Sequence, residues 1–236
     1  MLPGIVVNAG VWVPRVVAGG GGGGSFTPTL GTKAPSLGAG AQSPFPAAGW
    51  STNVSASADD ANFNLTFPFN FIFNNTTYTS AWPASNDYIT FGAGSIQFTG
   101  LSAANPPNDK IMITAGDHSW QRVSSITDSV SSRWVRYRFE GTSTTSGTPG
   151  SPTQVYEVTF FSSTFTGGFP VVEILMGVRQ NGTFLSGIYS STALLTGGTM
   201  ASNTGLAANQ SYVLVGNATG TSWTVYTGYY VGGTSY

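Results

Sequence analysis

The 236-residue chain contains no cysteine, which excludes disulfides, a thiol nucleophile and any cysteine-ligated metal. Its single histidine, His118, cannot build a zinc site without cysteines or a carboxylate cluster. Charged residues are only 7% of the total and the net charge is -1, so there is no long-range field to steer nucleic acid or an anionic membrane. There is no run of about 20 apolar residues to span a bilayer. The first residues, MLPGIVVNAGVWVPRVV, lack the basic n-region of a secretion signal. No stretch of useful length repeats apolar residues at helical spacing, and no period of about 20 to 50 residues recurs, which sets aside helical bundles, solenoids and propellers.

What the chain has instead is 40% apolar and 13% aromatic residues, enough to fold, in a background rich in glycine, serine, threonine and asparagine. Residues 1–49 read as an extended Gly/Pro-rich anchoring arm. Arg15 and Lys33 are its only charges, and Gly19 to Gly24 form an unbroken run. Ile5, Val7, Val11 and Val13, with Trp12 among them, alternate in a way that suits an extended segment pairing with a sheet edge, its own or a neighbour's. Pro28, Pro35, Pro44 and Pro46 keep the following stretch extended.

Residues 50–236 read as one all-β domain, an antiparallel β-sandwich or jelly-roll of roughly ten short strands. Leu65, Phe67, Phe69, Phe71 and Phe73 occupy every second position and point to one interior, after which Asn74, Asn75 and Thr76 supply a turn. Further strands are expected at Ile89–Phe91, Ile96–Phe98, Ile111–Ile113, Tyr212–Val215 and from Trp223 to Val231. Residues 114–132 show no clear period and read as a loop. In 134–140, Val135, Tyr137 and Phe139 mark a dry face, while Trp134, Arg136, Arg138 and Glu140 mark a wet one. Tyr156, Val158 and Phe160 alternate with Glu157 and Thr159, and Val172, Ile174, Met176 and Val178 alternate with Glu173. Asn181-Gly182 then signals a hairpin returning through Phe184 and Ile188.

The stretch FPFNFIFNNTTYTSAWPASNDYITFG resembles the opening of nidogen-like extracellular β domains. Asn86, Asp87, Tyr88, Ile89, Phe91 and Gly92 stand in the family's Asn-Gly-Tyr and Phe-Gly block, with Asp87 in place of glycine. The segments RWVRYRFEG, VYEVTFF and VVEILMGV are similar to that family's paired central strands. This implies a binding or structural sandwich and carries no catalytic residues. In style, the glycine-rich apolar arm, the missing cysteine, the low charge and the Ser/Thr/Asn/Gly-rich body resemble bacteriophage virion proteins such as tail fibres, baseplate parts and capsid decorations. That resemblance implies a particle component made without a secretion signal, in repeated copies.

Candidate chemistry is sparse. Asp117 beside His118 is a poor triad partner, because adjacent strand residues point oppositely, and the nearby Ser119 and Ser125 lie in no G-x-S-x-G context. Glu140, Glu157 and Glu173 could supply the two carboxylates of a glycan hydrolase, but cross-strand ion pairing with Arg136 and Arg138 is the simpler account. Asp59, Asp60 and Asp87 lack the spacing of a calcium loop, and Gly19 to Gly24 lack the Lys-Ser/Thr of a phosphate loop. Trp134, Trp120, Tyr229 and Tyr230 could stack on sugar rings, or could fill a core or an oligomer interface.

The expectation is a non-enzymatic structural component of a phage virion, needing no cofactor or metal and located in the particle. It would be anchored by its arm to other copies of itself and to other virion proteins, with host attachment as a further role. A carbohydrate-binding adhesin that recognises a host surface glycan is the alternative reading.

Overall fold

A computed structural model of the chain describes residues 26–31, 51–54, 58–97, 100–128, 131–142, 153–179, 185–201 and 206–230. Sixteen strands run through them: β1 (Leu30–Gly31), β2 (Ser51–Val54), β3 (Ala58–Asp59), β4 (Leu65–Phe73), β5 (Thr76–Pro83), β6 (Tyr88–Phe91), β7 (Lys110–Ala115), β8 (Ser119–Thr127), β9 (Trp134–Thr142), β10 (Gln154–Phe161), β11 (Val171–Met176), β12 (Leu185–Tyr189), β13 (Leu194–Ala201), β14 (Ser211–Gly216), β15 (Trp223–Thr227) and β16 (Tyr229–Tyr230).

The fold is all-β, with antiparallel sheets packed together as a sandwich. The larger sheet has the order β15-β14-β11-β10-β9-β8-β2, with β3 also pairing β8, and the smaller has the order β13-β12-β7-β6-β5-β4. A third, two-stranded ribbon joins β1 to β16 in the register Leu30↔Tyr230 and Gly31↔Tyr229.

The period-2 aromatics explain where the sheets meet. Leu65, Phe67, Phe71 and Phe73 of β4 are buried, and Phe69 is partly buried against the same core. They face Val135, Tyr137, Phe139, Tyr156, Val158, Phe160, Val172, Ile174 and Met176 of the larger sheet. Phe160 sits at the centre, with its ring 4.9 Å from that of Phe67 and 5.3 Å from that of Phe71. The β4–β5 turn at Asn74 and Asn75 has both residues at positive φ, 47° and 60°, as a tight hairpin with right-handed strand twist requires.

Several expectations need correcting. Residues 119–127 are strand β8, not loop. A register shift between Trp120 and Arg122 brings Trp120 and Val123 into one core although they are three residues apart, so the period of two is broken. Residues 194–201, not among the expected strands, form β13. Ile96 is exposed and outside any strand. The hairpin expected from Asn181-Gly182 is absent: β11 pairs β10 and β14, whereas Ile188 in β12 lies opposite Ile111 in the other sheet. The chain crosses between sheets there, and the turn residues themselves fall outside the described residues. The wet face expected on 134–140 is likewise overturned, since Trp134, Arg136, Arg138 and Glu140 are all buried.

Candidate functional site

The outer face of the larger sheet is built by the residues that alternate with the core. Register places Trp134, Phe161 and Val171 in one row, Arg136, Thr159 and Glu173 in the next, and Arg138, Glu157 and Leu175 in a third. At one end the face is apolar. Trp134, Phe161, Val171, Val213, Val215 and Tyr230 form a second buried cluster, against which Phe26, Leu30 and Phe165 pack. The Phe26 ring lies 6.0 Å from Tyr230 and 6.2 Å from Phe169. Tyr229 packs over Val155 and Leu175. The two ends of the described chain therefore meet above this face and form a third layer on it.

The middle of the face is charged, and it too is buried. Arg138 donates to Glu140 at 2.8 Å and to Glu157 at 3.2 Å. Arg136 lies 3.4 Å from Glu173 and 3.7 Å from Glu157, and Arg122, at the rim, reaches Glu140 at 2.7 Å. Three carboxylates face three guanidinium groups, so the cluster is neutral as a unit. Arg136 Nε also donates to Thr159 Oγ1, and the Tyr230 N–H donates to Glu173 at 2.7 Å, which ties the ribbon to the charges. Burial pushes the Glu173 carboxyl upward, while Arg136 and the Tyr230 N–H hold it down. Ion pairs of this kind differ in energy from the exposed pairs expected of a wet face, since desolvation and Coulomb attraction are both large.

A second polar centre joins the two sheets. Asp87, in the turn before β6, holds a φ of 58°, the left-handed region that favours glycine. Its fully buried carboxylate accepts hydrogen bonds from Thr114 Oγ1 at 2.8 Å, Gln154 Nε2 at 2.8 Å and Tyr156 OH at 3.2 Å, with His118 Nδ1 3.5 Å away. Burial raises the Asp87 pKa, and His118 together with these three donors opposes the rise. Thr114 belongs to the smaller sheet and Gln154 and Tyr156 to the larger. Asp87 therefore acts as an internal tie between sheets. Among the described residues no group of three or more His, Asp or Glu side chains is placed to hold a metal ion.

Lys110 is a third buried polar group. Its Nζ donates to the carbonyls of Ala103, Pro106, Asn108 and Ser190 at 2.7 to 3.3 Å, pinning the loop before β7 and the end of β12. Burial pushes its pKa down to about 8, with Asp109 acting the other way. A lysine whose folded-state pKa lies below its unfolded value gives stability that is full above the unfolded pKa and is lost as pH falls through the folded one. The unfolding free energy should therefore rise between about pH 8 and about pH 10, measured by urea titration. Lys110→Met should remove that rise and also lower stability at pH 7 by about 1–3 kcal/mol, as stranded carbonyls would.

The residues singled out from sequence are distributed as follows. Ile5, Val7, Val11, Trp12 and Val13 lie outside the described residues. Trp120 is buried between the sheets, its ring 6.0 Å from Phe63, and Trp134 is buried beneath the ribbon. Neither offers a ring face for a sugar. Tyr230 is buried and Tyr229 half-buried, both committed to the ribbon. Glu140, Glu157 and Glu173 share one buried face, each paired with arginine. Sequence reasoning missed Phe26, Leu30 and Gly31, although an apolar Phe…Leu-Gly island in a polar arm was a usable signal. It also missed Gln154, Thr114 and Lys110, whose roles depend on long-range pairing.

Comparison of the chain with protein-family models, with curated proteins and with solved structures gives no match.

Proposed function

We propose that this chain is a structural component of a bacteriophage particle, held to other copies of itself and to other virion proteins through its N-terminal arm, with the sandwich as the displayed body. The observation that carries the reading is the seating of Phe26 and Leu30–Gly31 on the body. Residues 26–31 of the arm are used as a strand and plug over a covered face. The low charge of the chain fits the same role, because few charges need desolvating when copies pack together. The acids that a hydrolase would need are neutralised in a buried ladder, and the tryptophans proposed for sugar stacking are buried, so no observation favours the enzymatic or adhesin readings.

Removing residues 1–25 tests the proposal without uncovering the outer face. The expected result is a body with unchanged thermal unfolding that no longer enters particles, read by electron microscopy. Particle incorporation indistinguishable from the full chain would contradict it.

A further inference from the structure

We infer that the ribbon slot is a receptor for the Phe26–Gly31 segment of a second copy, so that copies link by exchanging this strand. The inference rests on the proposed assembly role of the arm, and it names the arm's partner and docking surface.

Three observations carry it. The slot is lined by elements that belong to the body and not to the arm. Trp134 comes from β9, Phe161 from β10, Phe165 and Phe169 from the connection to β11, and Val213 and Val215 from β14. The slot also reads sequence. Phe26 and Leu30 fill it, and a Cβ on Gly31 would run into the Tyr229 ring. A Cβ on Gly228, at φ 135°, would lie 3.0 Å from the Gly31 carbonyl oxygen. This chain's own Phe-Thr-Pro-Thr-Leu-Gly segment satisfies those conditions, and every copy carries one.

The third observation is how little holds the segment to its own body. Its ladder has two residue pairs, and nineteen residues (51 − 31 − 1) separate Gly31 from Ser51. That length of chain can span about 60 Å when extended, against a body of about 40 Å across. The slot of a neighbouring copy is therefore within reach, and strand exchange replaces each intramolecular contact with an identical intermolecular one at low cost.

The absence of native cysteine makes the test clean. Leu30→Cys and Tyr230→Cys are made in separate full-length copies, one bearing a mass tag, and the two are co-expressed, purified and mildly oxidised. The Leu30/Tyr230 double variant serves as the geometric control. Exchange predicts a tagged–untagged disulfide species in the mixed sample, lost when Gly31→Ala is added to the Leu30→Cys copy. A mixed sample without that species while the double variant cross-links within its own chain overturns the inference, and a double variant that does not cross-link overturns the Leu30↔Tyr230 register on which it rests. If particle incorporation survives loss of residues 1–25 while the mixed disulfide forms, the virion reading fails and strand exchange stands. If incorporation is lost but no mixed disulfide forms, the reverse holds.

Discussion

Arg138→Ala should destabilise the protein by about 3–5 kcal/mol, a fall in Tm on the order of 10 °C for a chain of this size. Arg138 is the donor shared by Glu140 and Glu157 on a face that water does not reach. Its removal leaves Glu157 with Arg136 at 3.7 Å and leaves Glu140 to the rim residue Arg122. A buried carboxylate that loses its partner retains its desolvation cost, which is why truncating one member costs more than the intact pair contributes. Replacing both members, Arg138→Met with Glu157→Leu, should recover a large part of the loss because no charge of that pair is then stranded. An Arg138→Ala variant within about 1 kcal/mol of the parent would mean that the face is wet and the pairs are ordinary surface contacts.

Asp87→Ala should cost about 3–5 kcal/mol, because Thr114, Gln154 and Tyr156 lose a common acceptor inside the protein, each stranded group costing about 1–3 kcal/mol. Alanine also fits the left-handed backbone at this turn poorly, at about 1 kcal/mol. Asp87→Gly separates the two effects, since it relieves the backbone strain but still strands the donors. Asp87→Asn keeps one acceptor oxygen and tolerates the turn, so its loss should be the smallest of the three. Equilibrium urea unfolding gives the ranking, and equal losses for the asparagine and glycine variants would show that the carboxylate is not an acceptor for both sheets.

The architecture was legible wherever a strand keeps a strict alternation. Leu65 to Phe73, Val135 to Phe139 and Tyr156 to Phe160 announced both the strands and the side that faces the core. It was not legible where the period breaks. The register shift after Trp120 hides β8, and β13, with Gly197 and Gly198 among its residues, lacks the apolar alternation that marks a strand. Asn181-Gly182 misled because a strong local turn signal cannot say whether the next strand pairs with the last or crosses to the other sheet.

The outer face was misread for a related reason. Arginine and glutamate at alternating positions look the same in sequence whether they meet water or each other, and most of their partners lie on other strands, 18 to 37 residues away. The cross-strand pairing itself was correctly anticipated, but the same face is covered by Phe26, Leu30, Tyr229 and Tyr230, which come from opposite ends of the described residues. No local pattern connects them. Tyr229 and Tyr230, read as aromatics for sugar stacking or for a core or interface, pair with a strand of only two residues and pack on the covered face.

The central claim is that the chain's own ends roof the outer face of the larger sheet. Hydroxyl-radical footprinting of the full chain, read tryptophan by tryptophan by mass spectrometry, tests this most directly. Trp120, between the sheets, is the protected reference, and the half-buried Trp82 is the accessible one. The account predicts that Trp134 is as protected as Trp120, and that Phe26→Ala with Leu30→Ala raises labelling at Trp134 while leaving Trp120 unchanged. Labelling of Trp134 in the unmodified chain at the rate of Trp82 would contradict it.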